Sequence, residues 1–322
     1  MAGQIWSTNS LGGYFYSLNL SDELREALQP MSRFRQFCDA RDAGGLQKGN
    51  TFTWDIVQNV VTQGGTLVET STMPETNFTI LQATLTITEY GNSVPYSGKL
   101  EALSKFEVRK PIMQALKNDA VKVYDCAAYA QFYQTKLRVV PASSGTSLTS
   151  LTLTTNGTCT GTNNVALGTG HVKALVDTMK ERNIPPYAGD DYMSIAWPTT
   201  LRGLKNSLET LHQYTPAGIQ LIFNAEIGRY ENIRFTEQTN VTKGITSTGL
   251  SGTAWSNALS DWAFFFGEDT VVEGVAIPEE MRAKIPGDYG RSKGVAYYSL
   301  NGFGIVHTDA TQTRIVMWDS AA

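Results

Sequence analysis

A chain of 322 residues with 41% apolar and only 17% charged side chains can bury one large core or two ordinary ones, under a surface of Thr, Ser, Asn and Gly. A net charge of -4 without any block of Lys or Arg excludes a dedicated nucleic-acid binder, because affinity for a phosphate backbone comes from clustered cations. No apolar run reaches the roughly 20 residues of a membrane span, and Cys38, Cys126 and Cys159, odd in number and widely spaced, read as reduced thiols.

The predicted elements begin with an arm over residues 1–44. Ser21 is the N-cap of a short helix that carries Asp22 and Glu23 in its first turn and stops before Pro30. The next stretch, with Arg33, Phe34, Arg35 and Phe37, is expected as a short helix or an extended strap, lying either on its own domain or on a neighbour.

Between Thr51 and Thr88 two alternating runs face each other across a long Gly-Gly-bearing tip. Phe52, Trp54 and Ile56 fall on one face of the first arm, and Leu81, Ala83, Leu85 and Ile87 on one face of the second. A lone two-stranded ribbon is marginal in water, and no third strand stands beside this one in sequence. Its apolar face therefore needs a partner, and the expected partner is another copy of the chain.

Glu89-Tyr90-Gly91-Asn92 reads as a turn or bulge leading into a strand. A long helix is expected over 109–136, with Pro111 tolerated in its first turn and Ile112, Leu116, Ala120, Val123, Ala127 and Ala130 at spacings of three and four. Residues 141–170 shift to Ser, Thr, Gly and Asn, the mark of a boundary or surface hairpin. Helices over 171–182 and 198–212 follow, amid short β-type runs at 194–197, 219–223, 232–236 and 262–266. A second polar loop spans 239–260, and 294–318 alternates as two or three antiparallel strands. The fold class is α+β.

No phosphate loop, dinucleotide fingerprint, zinc-protease helix or nucleophile elbow occurs, and no cofactor or metal is implied. His171, His212 and His307 stand at no ligand or triad spacing, and His212 at a helix end is favoured there by the helix dipole. The acid pairs Asp22-Glu23, Asp190-Asp191 and Glu279-Glu280 read as solvated turns, because adjacent side chains do not converge. A small hydrolase using His212 with Asp190 or Asp191 stays open as the enzyme reading, and needs those side chains in one pocket.

The order of parts resembles the major capsid protein of tailed phages, whose fold is shared with herpesvirus shells, and more locally a podovirus-type subfamily. The segments that carry the likeness are Ala83-Thr84-Leu85-Thr86-Ile87-Thr88-Glu89-Tyr90-Gly91-Asn92 with Leu100 to Leu103 and Asp125, then Ala225-Glu226-Ile227-Gly228 and Asn232-Ile233-Arg234-Phe235. Phe266-Gly267-Glu268-Asp269 and Tyr289-Gly290-Arg291 with Gly294-Val295-Ala296-Tyr297 complete it.

The resemblance implies an N-arm over 1–44, an E-loop over 45–90, a P-domain with its spine helix over 91–142, an A-domain over 143–288 and C-terminal strands over 289–322 returning to the P-domain. It further implies a non-enzymatic structural protein of the virion, assembled in the host cytoplasm into pentamers and hexamers of an icosahedral shell. A separate scaffolding protein, a portal and a decoration protein are the implied partners, with packaged DNA touched weakly and no membrane involved.

The expected assembly interface joins Trp54 and Ile56 on the ribbon face, and Glu69 and Glu75 at its tip, to Arg33, Arg35, Arg41, Arg109 or Lys110 of a neighbour. Another virion component, in the tail or as decoration, is the second reading. A tail-tube protein should lack the helix over 109–136, which makes that helix the discriminating element.

Overall fold

A computed structural model describes residues 28–43, 49–59, 64–104, 107–141, 151–157, 165–212, 229–241 and 262–319, with the backbone alone for 209–212. The expected helix after Ser21, the strand over 219–223, Cys159 and most of both polar stretches lie outside the described residues.

Three sheets organise the described chain. The largest has seven strands in the order β6-β5-β13-β10-β7-β9-β8. These are β5 (Leu137–Pro141), β6 (Leu151–Thr154), β7 (Tyr192–Ala196), β8 (Arg229–Tyr230), β9 (Ile233–Glu237), β10 (Ala263–Phe266) and β13 (Ile315–Trp318). Its central strands read Ala-Phe-Phe-Phe and Ile-Val-Met-Trp, unbroken apolar runs that suit strands covered on both faces. Alternation then splits them between two cores. Phe264, Phe266, Ile315 and Met317 point into one, with helix α2 (Arg109–Tyr133). Phe265, Val316 and Trp318 point into the other, with helices α3 (Thr169–Glu181) and α4 (Pro198–His212).

Helix α2 is one unbroken element, about 37 Å long at 1.5 Å per residue, as the spacing of its apolar residues predicts. It ends at Tyr133, three residues before the expected limit, because the chain must turn at Gln134 to enter β5. Its first half buries only a stripe through Ile112 and Leu116. From Tyr124 to Ala130 every residue is buried, since this half is packed on several sides at once, and its alanines keep it narrow enough to fit.

The second sheet has four strands in the order β1-β11-β12-β4, formed by β1 (Asp39–Asp42), β4 (Thr88–Ser97), β11 (Val271–Ala283) and β12 (Ser292–Ile305). Here the structure corrects three expectations. Tyr90-Gly91-Asn92 is not a turn but the middle of β4, and Gly91 serves a close approach: a Cβ there would lie 2.9 Å from the Tyr297 carbonyl oxygen. Glu279-Glu280 is not a turn but part of β11, whose far end is masked by Pro278 and its charges. Pro278 falls where the register shifts between Ile277 and Glu280, a site that loses no ladder bond. The C-terminal strands do not stay together: β12 joins β11 and β4, whereas β13 joins the seven-stranded sheet, antiparallel to β10 and parallel to β5. A short helix, α1 (Gly98–Leu103), capped by the Ser97 hydroxyl that accepts from Leu100 N, links β4 to α2 and was not anticipated.

The third sheet is the expected ribbon, β2 (Thr51–Val57) against β3 (Ile80–Thr86), with Trp54 opposite Ala83 and Phe52 opposite Leu85. The partner of its apolar face is the chain's own body. Ala83 and Leu85 are 3% exposed, and Phe52, Trp54, Ile56 and Ile87 pack with Leu85 on Val272 and Val306. Gly302 and Gly304 make this possible, because a Cβ on either would lie 2.8 Å or less from Leu85 or the Thr86 backbone. Two missing side chains on β12 let the ribbon's root sit directly on the sheet.

Candidate assembly surface

What the root buries, the tip leaves open. Residues 64–79 have no regular structure and are exposed throughout. They carry Leu67, Val68, Met73 and Phe78, and with Val57 and Ile80 at the strand ends each of these is more than half exposed. Apolar side chains gathered on one projection mark a contact site more than scattered ones do. Glu69 and Glu75 stand among them, also exposed, with no cation within ion-pair distance among the described residues.

The cations expected to meet those acids are largely engaged within the chain. Arg35 is the clearest case. Its Nε and Nη2 donate to Glu273 at 3.1 and 2.7 Å, it also pairs with Glu279, and its guanidinium lies 4.6 Å from the Tyr124 ring centre. Arg41 pairs with Asp39 at 2.8 Å. Arg109 donates to the Tyr96 hydroxyl at 3.0 Å and lies 3.5 Å from Glu101. Arg33 donates to Gln36 at 3.3 Å, and neither it nor Lys110 has a carboxylate within ion-pair distance among the described residues.

The strap itself is a single 3-10 turn, Arg35–Phe37, followed by β1, so both expected forms are present in succession. It is stitched to its own body. Phe34 is fully buried in an aromatic box, 5.2 Å from Tyr129, 5.5 Å from Phe132 and 5.7 Å from Phe264. Asp125 of α2 accepts from Arg35 N at 3.2 Å and from Asn240 Nδ2 at 3.1 Å. Burial pushes its carboxyl above the usual range, against these hydrogen bonds that lower it. Asn301 adds a third donor to Glu273, at 3.3 Å. Residues far apart in sequence thus lock strap, helix and sheet together; the sequence signal for Asp125 was its place on a helix face otherwise apolar, and for Glu273 there was none.

The enzyme reading finds little to build on. Asp191 is not solvated but 3% exposed, with Arg229 Nε at 2.6 Å and Arg234 Nε at 2.8 Å from its two oxygens. Both of its oxygens are thus engaged by guanidinium groups of the same chain. The side chain of His212 lies outside the described residues. His171 Nδ1 accepts from Gly168 N at 3.1 Å and closes the start of α3. No group of three metal-type ligands occurs among the described residues.

No protein-family model matches the chain, and no curated protein does. Solved structures do. The capsid of cyanophage P-SCSP1u superposes with a TM-score of 0.69 at 14% identity, covering 95% of this chain and 93% of that one. The head of Helicobacter pylori bacteriophage KHP40 gives 0.66 at 13% identity over 94% and 95%, and the capsid of Ralstonia phage GP4 gives 0.63 at 13% over 98% of both. The chain therefore has the mixed α/β fold of these phage capsid chains, at 13–14% identity to each.

Proposed function

We propose that this chain is a major capsid protein that self-assembles into an icosahedral shell around packaged double-stranded DNA. The observation that carries this reading is the length of the likeness, which runs through more than nine-tenths of this chain and of each capsid chain compared. The unbroken α2, which a tail-tube protein should lack, supports a shell over a tail component.

In this reading residues 1–44 are the N-arm, 45–90 the E-loop, 91–142 the P-domain with α2 as its spine, and 143–288 the A-domain, with 289–322 returning to the body. Pairing of β11 with β12, which in turn pairs with β4, argues for grouping 271–283 with the P-domain. A podovirus-type placement rests on the sequence segments quoted above. Virion localisation, assembly in the host cytoplasm, a separate scaffolding protein, a portal and a decoration protein belong to the same reading.

The ribbon then divides its labour. Its root is held by its own subunit, while the apolar tip crosses to a neighbour, where Glu69 and Glu75 meet Lys110 or Arg33. Each such contact is small, about 0.2–1 kcal/mol for an exposed ion pair. Closed symmetry makes every subunit hold several neighbours at once, so the contacts add by avidity. A wall of net charge -4 with no cationic block lets DNA slide during filling.

Electron microscopy of the purified chain tests the reading directly, with shells or capsomers expected and a protein monomeric at every concentration and salt opposing it. Glu69→Lys with Glu75→Lys should leave the subunit folded and lower the yield of particles, most at low ionic strength where like charges are least screened. Undiminished yield from that variant would mean the tip docks through its apolar residues alone.

A further inference from the structure

The chain leaves a second apolar projection uncovered, at the far end of β11 and β12. Residues 284–291 join these strands, and there Ile285 is 88% exposed and Tyr289 fully so. The connection is closed by backbone bonds. Gly287 and Ser292 exchange hydrogen bonds at 3.1 Å, Gly290 N donates to Gly287 O at 3.1 Å, and Arg291 N donates to Asp288 O at 3.0 Å. Asp288, Tyr289 and Gly290 all have positive φ, at 51°, 53° and 87°. Glycine meets such a bend without strain and Asn or Asp with little, whereas a bulky ring is an outlier that local structure does not favour. Tyr289 therefore holds a disfavoured backbone while its ring gains no burial in its own chain. A strained aromatic residue aimed at solvent points to a contact with another molecule.

Charge names the occupant. Residues 284–293 carry Lys284, Arg291 and Lys293 against Asp288, a net +2 on a chain of net charge -4. Residues 64–79 of the ribbon tip carry Glu69 and Glu75 without a cation, a net -2. A second copy of the connection itself would meet it with like charge. The tip brings opposite charge, together with the exposed apolar side chains that could cover Tyr289 and Ile285. Glu101 extends the cationic surface, since it accepts from Lys293 Nζ at 2.6 Å and lies 3.5 Å from Arg109 Nε. The start of α2, where Lys110 stands, is thereby set beside the base of the connection.

We propose that residues 284–291 of one copy seat the ribbon tip of a second copy, with Tyr289 and Ile285 against its apolar side chains and Lys284 and Arg291 facing Glu69 and Glu75. The seat rests on the shell reading, and it places Lys110 rather than Arg33 beside the tip.

The test mixes two full-length variants, Tyr289→Cys and Met73→Cys, before assembly and oxidises the particles; a second mixture uses Phe78→Cys in place of Met73→Cys. The two new thiols stand on different chains, so a disulfide between them reports a contact between copies. Linked dimers should appear in a mixture well above the level from either variant alone, where the native cysteines are the same. Particles whose mixtures show no such excess, or a yield from Tyr289→Cys alone that equals the mixture's, overturn the proposal and leave the shell reading standing. A wild-type chain that forms neither particles nor capsomers takes down the shell reading and the proposal with it. Tyr289→Asn gives an independent measure. Asparagine accepts the left-handed backbone, so the melting temperature of the subunit should hold or rise, while the concentration needed for assembly should increase about fivefold or more with the loss of an aromatic anchor. Assembly of Tyr289→Asn at the wild-type concentration would overturn the proposal.

Discussion

Gly302→Ala is the sharpest probe of how the ribbon is held. A Cβ at Gly302 would lie 2.3 Å from the Thr86 carbonyl oxygen, 2.8 Å from Leu85 Cδ1 and 2.9 Å from the Thr86 carbonyl carbon. Two of those three atoms are backbone, so no rotamer change relieves the clash and β3 must retreat from β12. Retreat by somewhat under 1 Å already forfeits a quarter to a half of the dispersion contact across the gap. It also loosens Leu85, whose full burial is worth about 1.5–3 kcal/mol. Overpacking of this kind costs about 1–3 kcal/mol, and the smaller unfolded-state entropy of alanine returns only about 0.4–1 kcal/mol. A net loss of about 2 kcal/mol should lower Tm by roughly 3 °C, at about 2.1 cal/mol/K per residue.

The assay pairs thermal unfolding with brief chymotrypsin digestion. The variant should melt earlier and be cut faster at Phe52 and Trp54. Gly287→Ala is the control, because nothing lies within 4 Å of a Cβ built there, and it should change neither quantity. If Gly302→Ala matches the wild type in both, the ribbon is not seated on its own sheet, and its apolar face is free for a neighbour after all.

Three further expectations follow from ionisable groups held within the chain. Arg35→Met leaves the buried Glu273 with only the Asn301 amide and should cost about 2–3 kcal/mol in urea unfolding, less than the roughly 3–5 of a fully buried pair because Arg35 is a third exposed; adding Glu273→Gln should recover most of it. The Asp269 carboxyl is held below its usual range by His307 and Arg314, so its contribution is complete above the unfolded value near 3.9 and lost as pH falls through the lower folded value. The stability gap between wild type and Asp269→Asn should therefore be constant above about pH 5 and close below about pH 4, and a gap that persists at pH 2 would contradict the pairing. Burial, with Asp125 adjacent, pushes the Cys126 thiol up to about 12, so Cys126→Ser should leave the fast phase of thiol labelling at pH 8 unchanged.

The elements that were legible in sequence are those whose pattern is set by their own neighbours. Helix α2 and helix α4 appear at their expected starts because apolar spacing and an early proline act within a few turns. The ribbon's alternation likewise named its buried face correctly. What local pattern could not determine is which surface covers that face, since β12 lies more than 200 residues away and announces the contact only through side chains it lacks, at Gly302 and Gly304. The same distance hid β11, whose charged far end looks like a turn until β12 pairs with it, and hid the burial of Asp191, whose two arginines lie about 40 residues on. A cavity at the ribbon's root belongs to tertiary structure alone: Arg41 on β1, Trp54 on β2 and His307 just beyond β12 are unremarkable one at a time, and line one space only because the ribbon is seated on the sheet.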